Sequence, residues 1–317
     1  MNIVVLDGDS LGRELDLGAL RALGVCTVYG FTSREEVVDR IRNQEVLVTN
    51  KVKLDASNLG QVEGVRLICM TGTGTDGIDV EYARSKGIAV CNVAGYATES
   101  VAQHTFAMLF YLYENLPYYD NYMKRGGYVD DRSFRHYENT FHQICGKRWG
   151  IIGMGAIGRR VAEVATAFGC RVSYFSPSGS DRMEKYPRVD LETLCRESDI
   201  LSIHAPLNAQ TRNLVGPREL GWMSREAVLL NLGRGGIVNE EALVRALREG
   251  WIKAAGLDVL EHEPMEAGDP LLDIREPGKL LLTPHIGWAS LEARQQVVLE
   301  VAKNIGNFYR GTPTHVV

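Results

Sequence analysis

The amino-acid sequence predicts an α/β protein with two doubly wound domains, each a parallel sheet with helices on both faces. Short runs of β-branched residues alternate with stretches whose apolar residues have helical spacing. The 317 residues are twice the length of a typical domain of about 150 residues. Alternation of strand and helix gives parallel strands joined by right-handed crossovers, so two parallel sheets follow.

Eleven runs are predicted as strands, five in the first part of the chain and six in the second. They are residues 3–7, 25–30, 45–49, 66–70, 88–93, 149–154, 171–175, 199–203, 227–232, 254–260 and 279–283. Each is short and rich in Val, Ile or Leu, which is typical of strands buried on both faces. Between strands, residues 159–168 and 240–250 are clear amphipathic helices.

Two long helical stretches mark the domain boundary. Residues 101–125 are predicted as one helix between the fifth and sixth strands, and residues 291–310 as a helix that ends the chain. If the last helix returns to the first sheet, the first domain is discontinuous. The predicted domains are then 1–98 with 288–317, and 99–287.

The segment 126–147 interrupts this pattern and is rich in Tyr, His and charged residues. Long excursions without regular structure inside a compact domain usually carry a function. We expect this segment to be an arm of a dimer.

Charge and composition exclude several classes of protein. Lys and Arg number 35 against 40 Asp and Glu, a net charge of −5, which argues against a nucleic-acid surface. The N-terminal MNIVVLDGDS has no basic region and is read as a strand, not a signal peptide, so a cytoplasmic protein is expected. The most apolar stretch, 101–113, is shorter than the roughly 20 residues that span a bilayer. No membrane partner is expected.

The six cysteines contain no C-x-x-C pair. They are Cys26, Cys69, Cys91, Cys145, Cys170 and Cys195. Several lie in apolar runs, so reduced thiols are favoured over zinc ligands or disulfides. No metal-ligand spacing is present, and no metal is expected.

The motif Gly-Met-Gly-Ala-Ile-Gly at 153–158 has the features of a dinucleotide phosphate loop. It follows a predicted strand and opens a helix. Its glycines, Gly153, Gly155 and Gly158, suit a tight turn, close approach to a pyrophosphate and close helix packing. The helix N-terminus favours the negative charge, so NAD or NADP is the expected cofactor.

A second match to the same pattern, at residues 72–77, shows that the pattern alone is weak. The helix after it is short and polar, and Asp76 and two threonines crowd the loop. We therefore assign the dinucleotide to the loop at 153–158. The loop at 72–77 is expected to offer backbone N–H groups to a small anion.

Ser176 stands where NAD sites usually carry an acidic residue that binds the ribose hydroxyls. A carboxylate would repel a 2′-phosphate, whereas a serine does not. Ser178 and Arg182 lie near enough in the sequence to hydrogen-bond such a phosphate. The same loop would also accept NAD through other contacts, so the choice stays open.

Arg234, Glu263 and His285 follow the last three predicted strands. Ligands of open parallel sheets bind beyond the carboxyl ends of the strands, so these side chains should converge. Arginine binds a carboxylate or carbonyl oxygen through two hydrogen bonds. As imidazolium, His285 can donate a proton to a developing alkoxide, while Glu263 favours and orients the charged ring. The set fits hydride transfer to a 2-oxo acid.

Each of these residues alone has an ordinary structural explanation, such as a solvated arginine or a turn at Glu263. Their combination in the same half as the dinucleotide loop favours catalysis. His204 ends a strand and is expected to border the cofactor. The other histidines, His104 among them, lack such a setting.

From residue 49 onward the sequence resembles the D-2-hydroxyacid dehydrogenase family. The resemblance is carried by GTGTDGIDV, AVCNVAGYATESVAQHTFAML, WGIIGMGAIGRRVA, DILSIHAPLNAQTRNLVG, NLGRGGIVNEEAL, AAGLDVLEHEP and LLTPHIGWAS. The combination of TNKV, CNVAGYATESVAQH and PHIGWAS is similar to the glycerate dehydrogenase (hydroxypyruvate reductase) branch.

This resemblance implies a flavodoxin-like substrate domain, a Rossmann dinucleotide-binding domain and a homodimer formed through the segment after Val101. It implies that Arg234, Glu263 and His285 are catalytic. Together with the positions predicted above and their neighbours in the sequence, the expected cofactor contacts are Gly153, Gly155, Ala156, Ile157, Gly158, Ser176, His204, Ala205, Leu232, Gly233, Asp258 and Gly287. The expected substrate contacts are Thr73 and Gly74 through their backbone, Arg234, His285 and Trp288; packing alone would also explain Trp288.

The activity implied is reduction of hydroxypyruvate, and of glyoxylate, by NAD(P)H, with D-glycerate as the main product. One alternative is a dehydrogenase for another D-2-hydroxy acid. The other is an NAD(H)-sensing binding protein, similar to the transcriptional corepressors that resemble these dehydrogenases.

Overall fold

A computed structural model describes residues 1–129, 135–179, 185–276 and 278–317 of the chain. They form two compact units, Met1–Ala97 with Ala289–Val317, and Thr98–Trp288. Each unit is built on one parallel sheet. Within the described ranges, no helix has the length and apolar character needed to cross a membrane.

The sheet of the first unit has the strand order β2-β1-β3-β4-β5. Its strands are β1 (Asn2–Val5), β2 (Val25–Val28), β3 (Val46–Thr49), β4 (Leu67–Met70) and β5 (Ala89–Cys91). Its helices are α1 (Gly18–Arg21), α2 (Val37–Ile41), α3 (Ala56–Leu59), α4 (Val80–Ser85) and the C-terminal helix Leu291–Tyr309. Successive strand residues point to opposite faces, so Ile3 and Val4 enter different apolar clusters.

Buried Asp7 follows β1 at the point where the order of this sheet reverses, between β1 and β3. Its carboxylate accepts hydrogen bonds from the backbone N–H groups of Asn50, at 2.9 Å, and Lys51, at 2.6 Å. The Thr49 hydroxyl adds a third bond at 3.2 Å. Burial raises the pKa of Asp7 in spite of these bonds, which lower it.

The second unit has the strand order β11-β10-β9-β8-β6-β7, also fully parallel. Its strands are β6 (Arg148–Ile152), β7 (Arg171–Phe175), β8 (Ile200–Ile203), β9 (Val228–Asn231), β10 (Ala254–Leu257) and β11 (Leu280–Leu282). Its helices are α5 (Thr98–Tyr113), α6 (Leu116–Lys124), α7 (Ala156–Ala167), α8 (Leu191–Glu197), α9 (Pro217–Trp222) and α10 (Glu240–Glu249). The strand order of this sheet reverses between β6 and β8.

Side chains at the helix ends show why these residues form these elements. The Asn239 side chain accepts the backbone N–H of Ala242 at 2.8 Å and so caps the start of α10. Gly250 ends α10 in the left-handed conformation, with φ +68°.

Each predicted strand overlaps an observed strand, so the α/β prediction is confirmed. The prediction of a single helix over residues 101–125 is wrong, because α5 and α6 are separate helices. Asn115 lies between them with φ +54°, a left-handed conformation that asparagine tolerates, and Pro117 occupies the first turn of α6.

Candidate active site

The surroundings of the three glycines in the loop between β6 and α7 differ, so glycine is needed at these positions for different reasons. A Cβ atom on Gly153 would lie 2.8 Å from the backbone nitrogen of Ala205, and its φ of +94° also favours glycine. A Cβ on Gly158 would lie 2.2 Å from the carbonyl oxygen of Gly153. A Cβ on Gly155 would meet no atom within 4 Å. Gly153 and Gly158 are therefore required by packing, whereas Gly155 borders open space.

Helix α7 begins in this loop with unused hydrogen-bond donors. In the described part of the chain, the backbone N–H groups of Gly155, Ala156 and Ile157 donate to no acceptor. N–H groups at a helix N-terminus, together with the helix dipole, form a site for a phosphate. This geometry fits the pyrophosphate of a dinucleotide.

A pocket of about 210 Å³ lies against the loop at the reversal point between β6 and β8. Its walls include Gly153, Gly155, Ser176, Ser178, His204 and Ala205. Nucleotides bind at such reversal points in open α/β sheets. None of the described residues that line the pocket carries a carboxylate.

His204 is buried in the pocket wall, and burial lowers its pKa to about 3, so the ring is neutral. Its Nε2 atom lies 3.1 Å from the Ser202 hydroxyl, which accepts the indole N–H of Trp149 at 2.9 Å. The Nδ1 atom is buried with no hydrogen-bond partner among the described residues. A polar atom of a bound ligand would satisfy it, which supports the expectation that His204 borders the cofactor.

Ser176 lies directly after β7, and its hydroxyl is 3.3 Å from that of Ser178. Both line the pocket, and their place beside the 2′ position of a ribose stays a prediction. The predicted contact from Arg182 falls outside the described residues.

Arg234 lies in a turn after β9 that is fixed by the side chain of Asn231. The Asn231 amide donates to the carbonyl of Arg234 at 2.9 Å and accepts the backbone N–H of Gly233 at 3.1 Å. A Cβ on Gly235 would lie 1.7 Å from the carbonyl oxygen of Leu260, so only glycine fits there. The turn that carries Arg234 therefore packs directly on the loop that carries Glu263.

His285 and Glu263 form a close pair. The Nδ1 atom of His285 lies 2.8 Å from Oε2 of Glu263, and Oε1 of Glu263 accepts the backbone N–H of Leu260 at 3.1 Å. The side chains of His285 and Glu263 are 24% and 30% exposed, so a ligand can reach them. The structure thus brings together two of the three predicted catalytic residues and seats the third in the adjacent turn.

Asp258 follows β10 and is nearly fully buried. Its Oδ1 atom accepts the Thr283 hydroxyl at 2.7 Å and the backbone N–H of Ile286 at 2.9 Å, and Oδ2 accepts that of Gly287 at 2.8 Å. Burial alone would raise the pKa of Asp258, but hydrogen bonds from His104, Thr283 and these two N–H groups outweigh it and lower the pKa.

The sequence reasoning missed His104. It lies on α5, with Nε2 3.2 Å from the Thr283 hydroxyl and 3.4 Å from Oδ1 of Asp258. The separation of 179 residues between His104 and Thr283 left no local signal for this contact. The expectation that His104 lacks a special setting is wrong.

In the first unit, the loop at 72–77 differs from the phosphate loop. A Cβ on Gly72 would meet only the Tyr96 hydroxyl at 3.7 Å and Oδ1 of Asn50 at 4.0 Å, and α4 begins after the loop, at Val80. Among the described residues, the backbone N–H groups of Thr73 and Gly74 donate to no acceptor. The loop therefore fits a small anion better than a dinucleotide.

Comparison with known proteins places this geometry in a family. Residues 106–287 match the NAD binding domain of D-isomer specific 2-hydroxyacid dehydrogenases. A glycerate dehydrogenase of Methylorubrum extorquens is 38% identical over 89% of this chain and 88% of its own length. A hydroxypyruvate reductase of Blautia hydrogenotrophica is 33% identical over 100% of this chain and 99% of its own.

Solved structures agree with these relatives. An NADPH-dependent glyoxylate/hydroxypyruvate reductase of Sinorhizobium meliloti, in complex with NADP and malonate, has a TM-score of 0.84 at 26% identity. The match covers 100% of this chain and 96% of that one. With the phosphate loop, the pocket and the pair of His285 and Glu263 now located, the chain belongs to the D-isomer specific 2-hydroxyacid dehydrogenase family, as an NAD(P)-dependent enzyme of small 2-oxo and 2-hydroxy acids.

Proposed function

We propose that this protein reduces hydroxypyruvate to D-glycerate with NAD(P)H, and that it also reduces glyoxylate. The observation that carries the proposal is the contact between His285 and Glu263, which occupies Nδ1 of the imidazole and leaves Nε2 for a substrate. The names of the Methylorubrum and Blautia relatives support the choice of substrate.

His285 serves as the proton donor. The Glu263 carboxylate stabilises the imidazolium form and holds the ring, so that Nε2–H can face the carbonyl oxygen of the substrate. When bound, the reduced nicotinamide supplies the hydride. As the carbonyl carbon gains the hydride, the oxygen takes the proton from Nε2, and the neutral ring regains a proton from solvent. In the oxidative direction, neutral His285 is the base.

Arg234 binds and polarises the oxygen atoms of the 2-oxo acid. Its planar guanidinium suits two parallel hydrogen bonds, and the Asn231 side chain fixes the backbone from which it extends. The N–H groups of Thr73 and Gly74 bind the substrate carboxylate. In this proposal Trp288 adjoins the substrate, and Leu232, Gly233, Asp258 and Gly287 contact the cofactor.

The protein acts as a cytoplasmic homodimer in this proposal, joined through the segment after Val101. The described part of that segment exposes large apolar side chains, with Val129 81% and Tyr137 75% exposed. On α6, Tyr122 stacks on His136 with a centroid distance of 3.7 Å, which gives the segment an ordered aromatic face. Light scattering of the purified protein tests the dimer, and cell fractionation tests the location.

A turnover panel tests the activity. Hydroxypyruvate, glyoxylate, pyruvate and other 2-oxo acids are each supplied with NADH and with NADPH. Hydroxypyruvate should give the highest kcat/KM, and a clear preference for another 2-oxo acid would identify a different D-2-hydroxyacid dehydrogenase. Negligible turnover, together with partner binding that depends on NAD(H), would favour a sensor.

The His285→Ala variant tests the proton donor. Loss of a general acid should lower kcat for reduction by about 10²- to 10⁴-fold. Cofactor binding, followed by NADPH fluorescence, should stay unchanged, because the phosphate loop is intact. Full activity in this variant would exclude His285 as the donor.

A further inference from the structure

Two polar residues of α5, Ser100 and His104, touch the loop that carries His285. They are four residues apart and therefore lie on one face of the helix. The Ser100 hydroxyl donates to the carbonyl of Gly287 at 2.7 Å, and Nε2 of His104 lies 3.2 Å from the Thr283 hydroxyl. Helix α5 thus contacts the loop 283–287 at both of its ends.

The single hydroxyl proton of Thr283 decides which atom is the donor in the hydrogen bond between His104 and Thr283. A threonine hydroxyl has one proton, and Thr283 donates it to Oδ1 of Asp258 at 2.7 Å. Its oxygen can therefore only accept from His104. Nε2 of His104 must carry a proton, which lies between the Thr283 hydroxyl and Oδ1 of Asp258, at 3.2 and 3.4 Å.

Asp258, which contacts both His104 and Thr283, also binds the backbone next to His285. Its two oxygens accept the N–H groups of Ile286 and Gly287. His285 itself has φ +54°, a left-handed conformation that is uncommon for residues with a side chain. The direction of the imidazole thus depends on a carboxylate whose own position is set from α5.

We propose that His104 is a positioning residue: its Nε2–H fixes the Thr283 hydroxyl and the Asp258 carboxylate, which hold the loop 283–287 so that His285 faces the substrate. The proposal rests on the proposed role of His285. It assigns His104 no contact with the substrate.

Two substitutions at one position separate the hydrogen bond from packing. His104→Gln keeps an N–H near the position of Nε2, whereas His104→Leu keeps a similar volume without a donor. The Leu variant should lower kcat by about ten- to a hundredfold, as expected for a misplaced catalytic group. The Gln variant should recover most of this loss.

Two measurements on the cofactor-free protein test the proposal without relying on catalytic activity. Hydrogen exchange at the amides of Ile286 and Gly287 should accelerate in His104→Leu, with the rest of the second unit unchanged, and return toward the parent rate in His104→Gln. Nitrogen-15 NMR of the unmodified protein should show a proton on Nε2 of His104.

An Nε2 atom without a proton would overturn the proposal. Unchanged hydrogen exchange in the Leu variant would also overturn it, as would faster exchange throughout the second unit. Either result would show that His104 does not specifically position the loop. A Gln variant as impaired as the Leu variant would also overturn it. If the protein failed to reduce hydroxypyruvate, the exchange and NMR results would still decide whether His104 positions the loop.

Discussion

The imidazole of His285 is paired with the carboxylate of Glu263, at 2.8 Å between Nδ1 and Oε2. The same carboxylate is held from behind by the backbone N–H of Leu260. The pair is therefore fixed at Nδ1, which leaves Nε2 for the proposed proton transfer.

The first prediction concerns the charge of this pair. Glu263→Gln keeps the size of the side chain but removes the charge that stabilises the imidazolium. We expect kcat for reduction to fall by roughly tenfold or more, because the imidazolium loses its counter-charge. Steady-state kinetics of variant and parent with hydroxypyruvate measures kcat. Glu261→Gln, at an exposed carboxylate nearby, is the control, and an equal kcat in both variants would contradict the prediction.

The second prediction separates two glycines of the phosphate loop. Gly158→Ala places a methyl group against the carbonyl of Gly153 and should lower Tm, whereas Gly155→Ala meets no protein atom and should leave Tm unchanged. Gly155→Ala should nevertheless weaken NADPH binding by about tenfold or more, because the methyl group occupies space expected for the pyrophosphate. Thermal melts and fluorescence titrations measure both effects. Unchanged NADPH affinity in Gly155→Ala would place the pyrophosphate elsewhere.

The third prediction concerns the cofactor phosphate. Ser176→Asp puts a carboxylate at the end of β7, where it would repel a 2′-phosphate and bind ribose hydroxyls. The ratio of kcat/KM for NADPH to that for NADH should fall by at least about tenfold, which corresponds to ~1.4 kcal/mol. Ser176→Ala removes only the hydroxyl and is the matched control. A ratio that falls equally in both variants would show that charge is not the cause.

The fourth prediction uses the buried ring of His204. Its pKa is lowered to about 3 in the folded state, so the unfolded chain binds the extra proton below pH 6.5. The resulting stability is fully present above pH 6.5 and is lost as the pH falls from 6.5 toward about 3. Relative to His204→Gln, the parent should lose about 1.4 kcal/mol of unfolding free energy when the pH is lowered to one unit below 6.5.

Urea unfolding of parent and variant on both sides of neutrality measures the fourth prediction. The other histidines are common to both proteins and cancel in the difference. A difference that does not change with pH would show that the ring can take up its proton in the folded state.

Local sequence signals predicted much of the fold and part of the site. Strand runs are visible because buried strands are continuously apolar, and the phosphate loop because its glycines have a fixed spacing. The pairing of His285 with Glu263 followed from their places at the ends of neighbouring strands.

What the sequence did not reveal depends on contacts far apart in the chain. His104 meets Thr283 across 179 residues, and no spacing rule links them. The break at Asn115 depends on one left-handed residue inside an otherwise helical pattern. Such features are decided by packing, so a local pattern does not contain them.

Asp7 fills the crevice of the first sheet at the point where its strand order reverses. The backbone donors of Asn50 and Lys51, directly after β3, are bound by the Asp7 carboxylate, whereas in the second unit the loop after β6 lines a pocket. The first sheet therefore contains an intramolecular ligand at its reversal point, and a phosphate from solution would have to displace it there. The glycine loop at 72–77 follows β4 instead, and the N–H groups of Thr73 and Gly74, which donate to no acceptor among the described residues, remain available to a small anion.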